Sequence, residues 1–161
     1  MRGQRAGQGG ALVFAPALQP AAACPLCASA GGPLLWADGD WRVIRVEDAD
    51  VPAFYRVIAR EHVAEFTDLP PAQQLRCMAL VAAVERVLRE RLAPSKINLA
   101  AFGNMVPHLH WHVMARFEWD VFFPQPLWGL RQRELAAPAV QRLACSLAAL
   151  DAAVAAAVAA A

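Results

Sequence analysis

Three histidines stand at alternate positions in one short stretch of the chain, Asn104–Phe117, which reads NMVPHLHWHVMARF. They are His108, His110 and His112, and the whole sequence holds only four histidines. Alternate side chains of a β-strand lie on the same face of the sheet, so the three imidazoles are expected to project together. The apolar residues between them would then point into a core, as in a half-buried strand.

Three neighbouring imidazoles cannot all carry a proton at low cost, because like charges lower one another's pKa. At least one ring nitrogen is therefore expected to stay a free base near pH 7. A neutral imidazole can attack phosphorus, bind a metal or move a proton. The alternative is a polar sheet face on which the three histidines are simply hydrogen-bonded. This hypothesis is the weaker one, because three of only four histidines stand in register.

The four cysteines are the second group that could do chemistry. Cys24 and Cys27 form the motif CPLC, whereas Cys77 and Cys145 stand alone. Without a convincing signal peptide, disulfides are not expected. A closely spaced pair then indicates metal or redox chemistry. Cys77 lies in a helical pattern and Cys145 in the alanine-rich tail, where both are expected to be small core residues.

Five strands are expected to position these residues. Asp38-Gly39 predicts a hairpin between two β-like runs, and Ala53–Ala59 is a third β-rich run. KINLAAF and HLHWHVMARF are two more strands, joined around Gly103-Asn104. The pattern therefore predicts a largely antiparallel sheet of about five strands.

One long helix is expected to cover this sheet. Residues 67–92 carry an apolar stripe at helical spacing, formed by Leu80, Val84, Val87 and Leu88. Thr67 or Asp68 can cap the helix, with the prolines near its first turn. With a further C-terminal helix, the predicted class is α+β.

Composition excludes several other functions. A chain of 161 residues fits one domain, and its formal net charge of +1 gives no general attraction to nucleic acid. The hydrophobic fraction of 58% is inflated by alanine, so no membrane span is expected. The apolar C-terminal run is interrupted by Asp151, which favours a surface or dimer-packing helix.

The N-terminus superficially resembles a lipoprotein signal that ends at Cys24. Pro16, Gln19 and Pro20 interrupt its apolar run, however. We therefore predict a disordered extension over residues 1–22 and a cytoplasmic protein.

The stretch HLHWHVM resembles the signature of the histidine triad (HIT) family, in which three histidines alternate with apolar residues. The resemblance extends from Cys24 to Phe117 and includes the order of strands and helix. It implies a HIT-like domain over residues 23–118, followed over 119–161 by a loop and an alanine-rich helix that packs on the domain or the dimer. It also implies hydrolysis or nucleotidyl transfer at an α-phosphate, with a nucleotide as the small-molecule partner.

By this resemblance His110 is the nucleophile and forms a nucleotidyl-histidine intermediate. His112 donates to the phosphate oxygens or the leaving group, and His108 is the third catalytic histidine. The nucleophile's far nitrogen must be hydrogen-bonded to hold its tautomer, and the phosphate needs donors. Release of the nucleoside monophosphate by water or another acceptor would complete the reaction.

The resemblance also implies nucleotide-binding residues. Asn98, Asn104, Met105 and Val106 are the candidates around the phosphate, with backbone N–H groups near Gly103. Family members often carry a serine close to the position of Met105 and a glutamine where Asn104 stands. Because of these departures, substrate choice stays open.

An acidic partner for the ribose is expected near the end of the second strand. Glu47 is the nearest candidate, and Asp48 and Asp50 compete with it. Apolar residues such as Leu26, Val43 and Ile44 would build the base pocket. The family's usual Pro-Arg ending of the motif is Ala115-Arg116 here.

Several branches of the HIT family, and the related galactose-phosphate uridylyltransferases, bind zinc through a cysteine pair, a histidine after the third strand and the first triad histidine. The counterparts here are Cys24, Cys27, His62 and His108. Two thiolates and two imidazoles form a closed tetrahedral set, which suits a structural zinc. No organic cofactor is expected.

Other functions stay open at this stage. A nucleotide-binding regulatory module with little turnover would keep the fold, and a cupin-like metalloenzyme would need a further distant histidine, which does not follow His112. Family members are usually homodimers. The aromatic tail residues Trp119, Phe122, Phe123 and Trp128 either contact a leaving group or simply pack.

Overall fold

The computed structural model describes residues 23–161, and five strands within this part form one antiparallel sheet. The spatial order of the strands is β1-β2-β3-β5-β4. The strands are β1 (Leu34–Ala37), β2 (Trp41–Arg45), β3 (Phe54–Ala59), β4 (Lys96–Ala100) and β5 (His110–Arg116). The predicted five-stranded antiparallel sheet is therefore confirmed.

Three α-helices accompany the sheet, namely α1 (Pro25–Ala28), α2 (Pro71–Leu92) and α3 (Leu147–Ala159). The long helix and the C-terminal helix confirm the predicted α+β class. The N-terminal extension predicted over residues 1–22 lies outside the described residues.

A short hairpin joins β1 to β2 at the predicted position. The Asp38 carboxylate accepts hydrogen bonds from the backbone N–H groups of Asp40 at 2.8 Å and Trp41 at 2.7 Å. This is how aspartate stabilises a tight turn. Before β1 the chain passes close to β2, where a Cβ on Gly32 would lie 2.4 Å from the carbonyl oxygen of Arg45.

The two faces of the sheet have different coverings. The odd-numbered residues of β3 and β5, with Trp41 and Val43 of β2, pack with the buried stripe of α2 in the main hydrophobic core. Val43 belongs to this core, so its predicted place in a nucleotide pocket is wrong. Ile44 lies on the opposite face with Ile58, Cys24 and Leu26, because adjacent strand residues point to opposite sides.

Helix α2 begins later than its capping signals predicted. Phe66–Asp68 forms a separate 3-10 turn, in which the side chains of Glu65 and Asp68 cap each other's backbone N–H groups. Pro70 takes the N-cap position of α2, and Pro71 is its first residue. Proline at the first position has no N–H to leave unsatisfied, and no side chain caps the helix there.

Helix α3 packs against α2 and the β1-β2 hairpin. Leu150, Val154 and Val158 are fully buried at a spacing of four residues. Asp151 accepts hydrogen bonds from the Tyr55 hydroxyl at 2.8 Å and from Arg45 at 3.0 Å.

Neither long helix of residues 23–161 combines the length and hydropathy that a membrane crossing requires.

Residues 119–146 carry one 3-10 turn, Ala139–Arg142, and otherwise run as loops. Their start is anchored by a buried ion pair between Arg116 and Asp120, with N–O distances of 2.8 and 3.0 Å. Leu127 then packs on Phe54 and Met114, so the loop covers one end of the sheet face opposite α2.

Candidate active site and metal centre

The triad histidines divide into two environments. Strand β5 begins at His110, so His108, the first residue of the predicted strand, lies two residues before the observed one. The rings of His110 and His112 are neighbours, with centroids 4.7 Å apart. The ring of His108 instead lies 5.2 Å from that of His62.

His110 is held in one tautomer by the backbone. Its Nδ1 lies 2.6 Å from the carbonyl oxygen of His108, and a carbonyl can only accept a hydrogen bond. Nδ1 therefore carries the proton, which leaves the lone pair on Nε2 free. Burial lowers the pKa of His110, so the neutral form is favoured. This is the state that a nitrogen nucleophile requires.

His112 is buried among aromatic rings. Phe54, Phe102 and Trp128 lie 5.4, 6.1 and 5.2 Å from it, measured between ring centroids. Burial, together with the neighbouring His110 and Arg56, lowers the pKa of His112 to about 3. Its Nδ1 is buried without a hydrogen-bond partner among the described residues.

An open pocket of about 630 Å³ lies over these two histidines. It is lined by Pro25, Leu26, Ser29, Gly31, Arg56, Phe102, Gly103, Asn104, Met105, Val106, His110, His112 and Trp128. A cleft of this size can bury a small ligand. Of the predicted base-pocket residues, Leu26 lines the pocket.

The approach to β5 forms one wall of this pocket. Asn104, Met105 and Val106, the predicted phosphate-binding residues, all line it together with Phe102 and Gly103. Gly103 has φ +66°, a left-handed conformation that glycine adopts without strain. The Met105 side chain is 90% exposed, so it lies at the pocket mouth.

Two other predicted residues lie away from this wall. The Asn98 side chain in β4 accepts a hydrogen bond from Arg116 at 2.8 Å, and Asn98 does not line the pocket. Glu47 is exposed in the loop after β2 and does not line it either. The nucleotide contacts predicted for these two residues stay predictions.

Arg56 and Trp128 also line the pocket. The sequence pattern did not indicate a role for Arg56. Arg56 pairs directly with His112 across β3 and β5. An arginine within an otherwise apolar strand, AFYRVIA, was the available signal. Of the four tail aromatics that the sequence offers, only Trp128 lines the pocket.

The four predicted metal ligands converge beside the pocket. One ligand atom from each of Cys24, Cys27, His62 and His108 lies within 4.8 Å of all the others. The Cys24 and Cys27 sulfurs are 3.5 and 3.4 Å from His108 Nδ1. His62 Nδ1 is 3.3 Å from the Cys27 sulfur.

This cluster fits a tetrahedral metal ion. In a zinc site with two sulfur and two nitrogen ligands, the ligand atoms are roughly 3.3–3.8 Å apart. His108 Nε2 donates to the carbonyl oxygen of Ala59 at 2.7 Å, so Nδ1 keeps its lone pair toward the sulfurs. A metal-ligating histidine needs such an arrangement.

Solved structures share this architecture. A histidine triad protein from Bradyrhizobium japonicum is 29% identical, with 78% of this chain and 89% of that chain covered and a TM-score of 0.63. One from Marinobacter aquaeolei is 28% identical, with 80% and 88% covered and a TM-score of 0.61. A zinc-bound histidine triad family protein from Mycobacterium smegmatis is 21% identical, with 86% and 95% covered and a TM-score of 0.56, and shares the fold.

Comparison of sequences points the same way. No curated protein matches the chain. Residues 33–119, which include all five strands, α2 and the three alternating histidines, match the profile of the HIT domain. The chain therefore belongs to the histidine triad (HIT) family.

Proposed function

We propose that this protein hydrolyses nucleotides, or transfers their nucleotidyl group, at the α-phosphate through a covalent intermediate on His110. The observation that carries the proposal is the tautomer of His110, whose Nδ1–H is engaged by the His108 carbonyl. Its Nε2 lone pair is therefore available in a pocket large enough for a nucleotide. HIT family proteins are generally nucleotide-binding hydrolases or transferases, which agrees with this chemistry.

In the first step, Nε2 of His110 attacks the α-phosphorus. The new N–P bond forms as the bond from phosphorus to the leaving group breaks, and the departing atom keeps the bonding electron pair. His112 supplies a proton to that atom. The pKa of His112 must rise for this role, because an anionic phosphate stabilises the protonated imidazole.

In the second step, the oxygen of water attacks phosphorus and the N–P bond breaks. His110 regains its lone pair, and the proton released from water returns to His112. The product is a nucleoside monophosphate. Both displacements occur at a fixed phosphorus, so placement and charge stabilisation contribute most of the catalysis.

The loop of Gly103–Val106 supports this proposal as the phosphate-binding wall. Backbone N–H groups and the Asn104 side chain could donate to phosphate oxygens there. Met105, at the mouth, would contact the substrate through its flexible apolar side chain. Asn98 would act indirectly through Arg116, whereas Glu47 stays a candidate for the ribose.

We further propose that Cys24, Cys27, His62 and His108 hold a structural zinc ion. Four protein ligands close the coordination sphere, so the metal would stabilise the fold and take no part in the reaction. The zinc-bound family protein from Mycobacterium smegmatis supports the choice of metal. The ion would attach α1 and its N-cap residue to His108, which lies two residues before the nucleophile's strand.

The experiment that tests the function compares wild type with His110→Ala. Hydrolysis of diadenosine tetraphosphate and adenosine 5′-phosphoramidate is followed by the release of AMP. We expect turnover by wild type and its loss in the variant, with trapped adenylyl-protein detectable by mass spectrometry in wild type alone. Leu75→Ala, an exposed change on α2, serves as the control and should retain activity.

Two outcomes would contradict this proposal. Turnover retained by His110→Ala would exclude His110 as the nucleophile. Tight AMP binding by both proteins with no turnover of either substrate would support the nucleotide-binding regulatory module.

A homodimer and a cytoplasmic location complete the proposal. The homodimer rests on the family resemblance, and the cytoplasmic location on the prolines and the glutamine that interrupt the apolar run before Cys24. Light scattering is expected to give twice the chain mass of 17.4 kDa.

A further inference from the structure

Arg56 is a cation in the pocket that the reaction described above does not use. It lies in β3 directly opposite His112 in β5, and residues that pair directly across two strands share a face of the sheet. Both residues line the pocket. Arg56 is near enough to the two triad histidines to lower the pKa of each.

No acidic group compensates this charge among the residues that the structure describes. Arg56 forms no ion pair there, and its buried Nε has no hydrogen-bond partner. Its guanidinium carbon lies over the Phe54 ring, 5.5 Å from the ring centroid. Burial lowers the pKa of Arg56, because a partly desolvated site disfavours the charged form of the guanidinium.

Other partly buried arginines have partners. Arg116 is bonded twice to Asp120, and Arg45 is bonded to Asp151. An unpaired, partly desolvated guanidinium is costly unless an anion arrives to satisfy it. The position of Arg56 on the pocket wall means that such an anion would come from the ligand.

The pocket has two chemically different ends. Leu26 and Gly31 line it beside Ile58, the residue that pairs with His110. At the other end Arg56 accompanies His112 and an aromatic group of Phe54, Phe102 and Trp128. With an α-phosphate at His110 and a nucleoside at the apolar end, the leaving group would occupy the cationic and aromatic end.

We infer that Arg56 binds a phosphate of the leaving group and so makes the site selective for substrates in which further phosphates follow the α-phosphate. The planar guanidinium can donate two parallel hydrogen bonds to a phosphate. It would also stabilise the negative charge that the departing phosphate gains as the bond breaks. This inference rests on the proposed function.

Three variants test the inference, namely Arg56→Gln, Arg56→Lys and, as the control, Arg76→Gln. Arg76 is an arginine of α2 that bonds to Asp38 and stacks on Trp36, away from the pocket. The readout is kcat/KM for diadenosine tetraphosphate, whose leaving group is a nucleoside triphosphate, and for adenosine 5′-phosphoramidate, whose leaving group is ammonia.

Arg56→Gln is expected to lower kcat/KM for the tetraphosphate about 10- to 100-fold, the range for a charged hydrogen bond. The variant's kcat/KM for the phosphoramidate should stay within about threefold of the wild-type value. Arg56→Lys should restore part of the loss, because it keeps the charge but not the paired donors. Arg76→Gln should behave as wild type on both substrates.

Binding supplies a measurement that does not depend on turnover. Calorimetric titration of wild type should show ADP binding more tightly than AMP, since only ADP carries a phosphate beyond the α position. Arg56→Gln should abolish this preference, while Arg76→Gln keeps it. A merely structural role for Arg56 would weaken AMP and ADP binding equally.

The outcomes separate the inference from the proposed function. An equal loss of kcat/KM on both substrates in Arg56→Gln, or no loss on either, overturns the inference. Turnover by wild type would still support the proposed function in that case. If wild type neither binds AMP nor hydrolyses either substrate, the function itself fails and the inference fails with it.

Discussion

The Nδ1 atom of His110 lies 2.6 Å from the carbonyl oxygen of His108, whose own side chain belongs to the metal-ligand cluster. The backbone of a proposed metal ligand thus holds the tautomer of the proposed nucleophile. His108 is also bonded through Nε2 to Ala59 in β3. The metal site and the nucleophile are therefore joined by one residue, so a change at one should be felt at the other.

Loss of the metal should lower stability. Purified protein is expected to carry one zinc per chain by elemental analysis, and a metal present at 100 times its Kd adds about 2.7 kcal/mol to the free energy of unfolding. At roughly 2–4 °C per kcal/mol, chelation should lower Tm by about 5–10 °C. Cys24→Ser should bind little zinc and show no further response to chelator.

Cys145→Ser is the matched control, because this cysteine is distant in sequence and absent from the cluster. It should keep the zinc content and the chelator response of wild type. A wild-type Tm that does not respond to chelator, in protein free of zinc, would contradict the metal assignment.

Loss of a ligand that does not line the pocket should also slow catalysis. His62 is one of the four proposed metal ligands and does not line the pocket. His62→Gln is expected to lower kcat about 10- to 100-fold, the usual range when the support of a metal site is lost. The KM should change little, since no pocket contact is removed. An unchanged kcat in zinc-depleted His62→Gln would show that cluster and nucleophile are independent.

His112 should remain neutral in the free protein at pH values well below those at which histidine normally titrates. Burial, with His110 and Arg56 nearby, lowers its pKa to about 3. An ordinary histidine, with a pKa of about 6.5, would be almost fully protonated at pH 4.5. Ring chemical shifts from NMR should instead report a neutral His112 at that pH. Addition of AMP should raise the pKa, and titration of free His112 near pH 6.5 would contradict the assignment.

The same pKa makes stability depend on pH. The unfolded chain binds a proton at His112 below about pH 6.5, whereas the folded protein does so only near pH 3. Folding stability should therefore fall as pH drops through this window, by up to about 1.4 kcal/mol per pH unit for one such group. Urea unfolding should show that the free energy of unfolding falls less between pH 7.5 and pH 5 in His112→Gln than in wild type.

The buried pair of Arg116 and Asp120 should be essential to the fold. Burial alone would raise the pKa of Asp120, but hydrogen bonds from Arg116 and the Phe122 N–H outweigh it and lower that pKa. Asp120→Ala leaves Arg116 buried without its partner and should cost about 3–5 kcal/mol in the free energy of unfolding.

The pair of Glu85 and Arg89, whose side chains are 31% and 69% exposed, is the control for this measurement. Glu85→Ala should change the free energy of unfolding by no more than about 0.5 kcal/mol, as exposed pairs do. Similar losses from Glu85→Ala and Asp120→Ala in chemical denaturation would show that burial of the pair is unimportant.

Asp151 should attach α3 to the sheet. Its carboxylate accepts hydrogen bonds from Tyr55 and Arg45, and burial together with Asp151 raises the pKa of the Tyr55 hydroxyl. Asp151→Ala should destabilise the protein by about 1–3 kcal/mol, because it leaves a buried hydroxyl unpaired. Hydrogen exchange should speed up in α3 more than in α2, and uniform exchange across both helices would count against this role.

Features that depend on neighbouring residues were predictable from the sequence. The period of two in β5 indicated which side chains face the core, and the Asp38 turn and the apolar stripe of α2 were correctly identified. The family resemblance added the four metal ligands, which the structure brings together. Local patterns of this kind survive folding, because the geometry of a strand or helix determines which residues share a face.

Tertiary structure decided what depends on residues distant in the chain. Val43 points to the helix side of the sheet, and Asn98 bonds to Arg116, because the pairing of whole strands determines both. Arg56 became a pocket residue only when β3 paired with β5, and Trp128 when the tail folded over that end of the sheet. The sequence by itself determined the histidines and their spacing. Only the fold decided which charge and which aromatic ring stand beside them, since these contacts arise from strand register and loop packing.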